Sequence, residues 1–185
     1  MGEAPLKAVP LTASIADVIA SRLRDIPDFP VPGVVFKDFT PLLSDGPAFR
    51  AVVQDISSRY VGQVDVIVGI EARGFILGAA VAYELGLGFV PVRKAGKLPG
   101  QTHSAEYQLE YGSAVIEVHM DAFIAGARVL VMDDVLATGG TAAATCDLIE
   151  RAGANVAAVE VVLELGFLNG RSKLAGRTVH AMLSL

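Results

Sequence analysis

The chain has 185 residues, 52% of them apolar, a formal net charge of −5 and a single cysteine, which suits one well-buried domain, residues 1–185, and is short for two. With no basic block, nucleic acid is disfavoured and a small molecule is the expected partner; the lone Cys146 excludes an intrachain disulfide and has no metal-ligand spacing around it, so the chain reads as cytoplasmic. The opening M-G-E-A-P-L-K-A-V-P lacks a signal core and places Leu6 where a myristoylation signal needs Ser or Thr, so neither export nor a membrane anchor is expected.

Ile15, Val18, Ile19, Leu23 and Ile26 recur at helical spacing behind Thr12 or Ser14 as N-cap, predicting an amphipathic helix over about 13–26 that Pro27 ends. From Pro27 to Pro41, D-F-P-V-P-G-V-V-F-K-D-F-T is too punctuated by proline and glycine for regular structure. It is also too apolar for a solvated loop, so residues 27–41 should fold over something as a hood. Pro47 starts a helix carrying Phe49, Val52, Val53, Ile56 and Tyr60, and Val64–Ile70 is a buried strand ending in E-A-R-G. Phe75–Val92 is apolar, but Gly78, Glu84, Gly86 and Gly88 interrupt it, which predicts a helix over Gly74–Leu85 and a strand over Gly88–Val92 rather than a membrane span. That strand ends on Arg93, Lys94 and Lys97. Glycine, proline and small polar residues then give 95–106 the composition of a mobile lid, about 95–112 in full, which leads into an antiparallel pair, Tyr107–Tyr111 with Ala114–His119.

The most informative stretch is Arg128–Ala144, R-V-L-V-M-D-D-V-L-A-T-G-G-T-A-A-A. Val129–Met132 reads as a strand buried on both faces, ending on Asp133 and Asp134. Ala137, Thr138, Gly139, Gly140 and Thr141 are small or hydroxylic residues that let backbone N–H groups turn inward, and an alanine-rich helix to about Gly153 follows, with Cys146 in its core face. This is a phosphate cradle at a helix N-terminus. It lacks the Lys of a Walker loop and the spacing of a dinucleotide fingerprint. Carboxylates repel a phosphate but accept hydrogen bonds from a diol, so the ligand should be anionic at one end and hydroxylated at the other, as a ribose 5-phosphate is. At an open strand end both carboxylates should meet solvent while the site is empty, so replacing them should spare the fold.

The strand Val156–Leu165, a loop with Lys173 and the strand Val179–Leu185 complete the chain. Strands alternating with helices imply an α/β fold, a mostly parallel twisted sheet with helices on both faces, its ligands gathered beyond the strands' carboxyl ends. Arg73, Arg93, Lys94 and Lys97 stand at such ends and suit a polyanion, although a lone Arg73 serves equally well as a structural ion-pair partner.

V-L-V-M-D-D-V-L-A-T-G-G-T resembles the phosphoribosyl pyrophosphate (PRPP) motif of the type I phosphoribosyltransferases. D-F-P-V-P-G-V-V-F-K-D, I-E-A-R-G-F, V-R-K-A-G-K-L-P-G and L-E-Y-G are similar to the adenine-specific members, so that the likeness runs from about residue 26 to the end. The resemblance implies that the amides of Ala137–Thr141 hold the 5-phosphate and that Asp133 and Asp134 face the ribose hydroxyls. It implies a cis Glu71–Ala72 peptide, and a pyrophosphate held by Arg73, Arg93, Lys94 and Lys97 with Mg²⁺, which rides on PRPP near Asp133 rather than on dedicated protein ligands. It also implies that Phe36 stacks on adenine while the main chain of Val35 and Lys37 reads its edge. By the same resemblance Glu110 would handle the imidazole proton, Tyr111 would order the lid, and the enzyme would be a homodimer. His103 has no counterpart and reads as a solvated loop histidine.

The implied reaction is adenine + PRPP → AMP + pyrophosphate, a purine salvage step in which a closed lid keeps water from the oxocarbenium-like ribose. Its rivals are a 6-oxopurine phosphoribosyltransferase and a non-catalytic PRPP-sensing regulator. Glu110→Gln keeps shape but removes the base, so kcat should fall about 10²-fold with PRPP affinity little changed. Steady-state kinetics check this; weaker binding at unchanged kcat would make Glu110 structural.

Overall fold

The computed structural model describes residues 13–108 and 113–185. The chain divides into two compact units, Met1–Val52 and Val53–Leu185, with the boundary inside one helix.

In the first unit, helix α1 spans only Ile15–Ala20, opened by a capping box in which Ser14 Oγ accepts from Asp17 N–H and Asp17 returns the bond to Ser14 N–H. The helical spacing of Leu23 and Ile26 is misleading, because Arg24–Pro27 is a strand, β1, paired antiparallel with β2, Val35–Asp38. Pairs of opposite charge match across the two strands: Arg24 meets Asp38 at 2.6 Å and Lys37 meets Asp25 at 2.8 Å. The hood is therefore more regular than its composition suggests, with β2 inside it and helix α2, Thr40–Ser44, beginning at its end. Helix α3, Gly46–Tyr60, is capped by Asp45, whose carboxylate takes the Ala48 N–H at 3.1 Å and the buried Arg22 guanidinium at 2.8 Å.

The second unit is a seven-stranded sheet ordered β5-β6-β4-β3-β7-β8-β9. Its strands are β3 (Val66–Ile70), β4 (Gly88–Lys94), β5 (Thr102–Gln108), β6 (Ser113–His119), β7 (Arg128–Leu136), β8 (Asn155–Glu164) and β9 (Val179–Ser184), with helices α4 (Arg73–Leu85) after β3 and α5 (Gly140–Arg151) after β7. Five strands are parallel, and the β5–β6 hairpin adds an antiparallel edge. The segment expected to be irregular to residue 106 is thus a strand from Thr102, ordered by its partner: Ala105 and Tyr107 turn inward opposite Ile116 and Ala114.

From β3 the chain returns to β4 on one side, and from β7 to β8 on the other, so right-handed crossovers place α4 and α5 on opposite faces. The core follows the strand alternation. Val68, Ile70, Val129 and Val131 pack with Cys146, Leu148 and Ile149 of α5, and burial pushes the Cys146 thiol up to about 11. No helix among the described residues is long and apolar enough to cross a membrane.

A carboxyl group is buried on the other face of β8. Glu160 of β8 is 0% exposed and accepts from Arg59 at 3.0 Å, from the Tyr60 hydroxyl at 2.7 Å, and pairs with His180 Nδ1 of β9 at 2.9 Å. Glu160→Gln turns one acceptor into a donor facing donors, so about 1–3 kcal/mol of stability should be lost. Urea unfolding at fixed protein concentration measures it; an unchanged midpoint would mean that the network is dispensable.

Candidate active site

Parallel pairing of β3 with β4 and β7 sets three carboxyl ends side by side, and the connections diverge between β3 and β7. At such a divergence the crevice beyond the strand ends is left open for a ligand. Residues 71–73, 93–97 and 133–141 all arrive there.

The cradle comes from β7. That strand runs on past Met132, because Asp133, Val135 and Leu136 continue to pair with Val161, Leu163 and Glu164 of β8. Asp133 and Asp134 therefore lie within the strand and point to opposite faces. Asp133 lines a cavity of about 80 Å³ with the turn Ala137–Thr141. Asp134 is 6% exposed and bound to Arg73 Nε at 2.5 Å, so the expectation that both carboxylates meet solvent is corrected for Asp134. Burial, and then the neighbouring Asp134 charge, push the Asp133 carboxyl well above the usual range.

Gly139 starts the helical turn at φ 76°, and its C=O receives the Ala143 N–H at 3.0 Å. The N–H groups of Gly140, Thr141 and Ala142 precede any intrahelical acceptor, and no side chain caps them, so three donors converge at the positive end of a twelve-residue helix. That arrangement binds an anion.

Across the divergence, the Glu71–Ala72 peptide is cis and Arg73 opens α4. The helix starts hard against β7: a Cβ on Gly74 would lie 2.6 Å from the Met132 carbonyl oxygen, and this proximity is what lets Arg73 reach Asp134. On β4, Arg93 donates to Glu71 at 3.1 Å and to the Lys97 C=O at 3.0 Å, while Lys94 N–H donates to the same Glu71 oxygen at 3.1 Å. Burial works against the Glu71 charge, yet Lys94 N–H and Arg93 hold its carboxyl below the usual range. The side chains of Lys94 and Lys97 are exposed. The four expected cations thus stand on adjacent strand ends, with Arg93 partly engaged in fastening the 94–97 turn.

The expected base-reading residues belong to the first unit. Pro27 has no N–H, so its pairing with Val35 must be of the non-hydrogen-bonded kind, and alternation makes Asp25↔Lys37 the same. The N–H and C=O groups of Val35 and Lys37 consequently point to the edge of β2 opposite β1, where no third strand pairs among the described residues. The Lys37 ammonium is engaged by Asp25, and Phe36 meets Phe29 edge-on at 5.2 Å. Glu110 and Tyr111, with Thr12, lie outside the described residues.

Sequence reasoning missed two contributors. Glu71, the acid of E-A-R-G, ties β3 to β4, and its only signal was its place before Arg73. Gly170, in a loop where only Lys173 stood out, lies against the cradle: a Cβ there would come 2.9 Å from the Gly139 nitrogen.

A phosphoribosyl transferase domain model matches residues 43–174. An adenine phosphoribosyltransferase of Salinispora tropica is 63% identical over 172 residues, covering 92% of this chain and 91% of the relative. The crystal structure of adenine phosphoribosyltransferase from Thermoanaerobacter pseudethanolicus is similar with a TM-score of 0.87 at 47% identity, over 90% of this chain and 98% of that one. That from Saccharomyces cerevisiae, complexed with an imino-altritol bisphosphate and adenine, has a TM-score of 0.87 at 41% identity, over 91% and 98%.

The raised Asp133 pKa has a thermodynamic consequence. The folded chain keeps this proton to a higher pH than the unfolded chain, whose Asp ionises near its ordinary value of 3.8, so the group lowers stability as pH rises above that value. Asp133→Asn should therefore unfold at a higher temperature than the parent at pH 8, with the gain vanishing below about pH 4, while activity falls about 10²-fold. Melting curves from pH 4 to 8 check the sign, and a variant less stable at pH 8 would contradict it.

Proposed function

The chain belongs to the phosphoribosyltransferase family, and from its place among the adenine phosphoribosyltransferases we infer its reaction: it transfers the 5-phosphoribosyl group from PRPP to adenine, giving AMP and pyrophosphate in a purine salvage step. The observation that carries this reading is the anion seat of Ala137–Thr141 at the end of β7, with the Arg73 guanidinium held by Asp134 of that same strand end. A ligand with a phosphate at one end and a pyrophosphate at the other needs two such anion sites.

We assign the roles as follows. The N–H groups of the cradle hold the 5-phosphate, and Asp133, on the cavity side of its strand, accepts from the ribose hydroxyls. Asp134, on the other side, orients Arg73 toward the departing pyrophosphate. Lys94, Lys97 and the remaining N–H groups of Arg93 add positive charge there, which stabilises the leaving group as its bond to C1 breaks. Mg²⁺ suits this donor set. It takes one or two carboxylates and fills its shell with phosphate oxygens, so Asp133 would be its protein contact and PRPP its main ligand. When bound, it would neutralise pyrophosphate charge.

Phe36 stacks on the base, Val35 C=O accepts from N6, and Lys37 N–H donates to N1; the outward-facing edge of β2 supports this reading. Glu110 handles the imidazole proton and Tyr111 orders the lid. We read residues 1–185 as one phosphoribosyltransferase domain. The protein works as a cytoplasmic homodimer, and sedimentation at assay concentration tests the dimer, which an active monomer would refute.

The function is tested by pyrophosphate release from PRPP with adenine, hypoxanthine and guanine in parallel. Hypoxanthine sets O6 against the Val35 carbonyl and its N1–H against the Lys37 N–H, two mismatches that cost about 1–3 kcal/mol each. We expect kcat/KM for adenine to exceed that for either 6-oxopurine by at least about 10³. Lys37→Ala should preserve the ratio because the readers are backbone groups. Comparable use of the three purines would refute the base assignment.

A further inference from the structure

The segment Leu165–Leu174 abuts the cradle main chain to main chain. A Cβ on Gly139 would overlap the carbonyl oxygen of Gly170, and a Cβ on Gly170 would overlap that of Ala137. No side chain separates the two backbones, so the position of Gly170 fixes how far Ala137–Gly139 can relax. Gly170 itself has no side chain with which to hold that position.

Its neighbour does. Arg171 takes both oxygens of Glu164, Nε to Oε1 at 2.9 Å and NH2 to Oε2 at 2.7 Å, and its NH1 donates to the Val179 C=O at 2.8 Å. The Ser184 hydroxyl adds a bond to Glu164 Oε2 at 3.2 Å. Glu164 is the last residue of β8 and sits in register with Leu136, the residue that feeds the cradle. Leu174, 1% exposed, anchors the segment's far end. The two-pronged grip therefore spans the cradle's frame, from the strand end beside its entry to the residue next to Gly170.

We propose that Arg171 and Glu164 are positioning residues for the phosphate cradle, acting through Gly170 to hold the Ala137–Thr141 amides at the spacing a 5-phosphate requires. This rests on the reading that the cradle binds that phosphate. Arg171 touches neither substrate. Its loss lets Gly170 drift and the amides spread, and displacements near 1 Å in such a site cost up to about 10²-fold. A half-exposed arginine that merely decorated the surface would leave the two substrates unaffected or affect them alike.

The test uses the full chain with Arg171→Met and Gly170→Ala, measuring melting temperature, kcat, KM for PRPP and for adenine, and the Kd of ribose 5-phosphate, which keeps the cradle's ligand but has no pyrophosphate. KM for PRPP and Kd for ribose 5-phosphate should rise about ten- to a hundredfold, while KM for adenine stays within about twofold. Arg171→Lys, which keeps the charge but not the fork, should fall between Met and the parent. If Gly170→Ala fails to fold, Arg171→Met decides alone. Unchanged constants, or equal losses for both substrates, would overturn the positioning role. An unmodified chain that releases no pyrophosphate would instead overturn the reaction on which it rests.

Discussion

Parallel pairing of β3 with β7, from Val66↔Val129 to Gly69↔Met132, is the constraint on which the site depends. It brings two strand ends together where the chain leaves in opposite directions, so neither following helix covers the gap. The helix beginning right after β3 presses its Gly74 against the Met132 carbonyl, and the helix after β7 aims its free N–H groups into the same opening. A slip of one residue in this pairing would turn Asp133 away from the cavity and Asp134 into it.

The second theme is tension between stability and readiness. A carboxylate desolvated beside another carboxylate, as Asp133 is beside Asp134, and three N–H groups without helical acceptors are arrangements that an optimally stable chain would avoid. They persist because the rest of the sheet is conventionally packed, with Ile67, Val68, Leu130, Val131 and Met132 all at 0% exposure beneath them. The strained part is a thin layer at one edge of a rigid support, the condition under which preorganised dipoles stabilise developing charge.

Much of this was legible in the sequence, for identifiable reasons. Val129–Met132 followed by small residues and an alanine-rich helix states strand, turn and helix in a single line, and the basic residues 93–97 and acidic residues 133–134 are adjacent in sequence where they are adjacent in space. Leu23 and Ile26 misled because a four-residue strand held by Arg24–Asp38 and Asp25–Lys37 carries no periodic signal of its own. Asp134 reads as solvent-facing in the sequence because its partner, Arg73, lies on a different strand's end and no local rule connects them. Gly170 was invisible for a deeper reason: its contact is between two backbones, and main-chain contacts leave no residue type to read beyond the absence of a side chain.

The ion pairs at the site share one form. Glu71–Arg93, Asp134–Arg73 and Glu164–Arg171 each set a largely covered carboxylate on or just after a strand against a more exposed arginine from another segment. Pairs with a half-exposed partner add little to stability, about 0–1 kcal/mol, so their number explains nothing about how the fold survives. What they supply is direction. The buried carboxylate is fixed by the sheet, and the planar guanidinium can meet it in few ways, so each pair converts strand register into the orientation of a loop. Glu71–Arg93 orients the basic turn, Asp134–Arg73 the guanidinium at the start of α4, and Glu164–Arg171 the segment that abuts the cradle. Register therefore sets the geometry on every side of the opening, and the loops need little intrinsic order of their own.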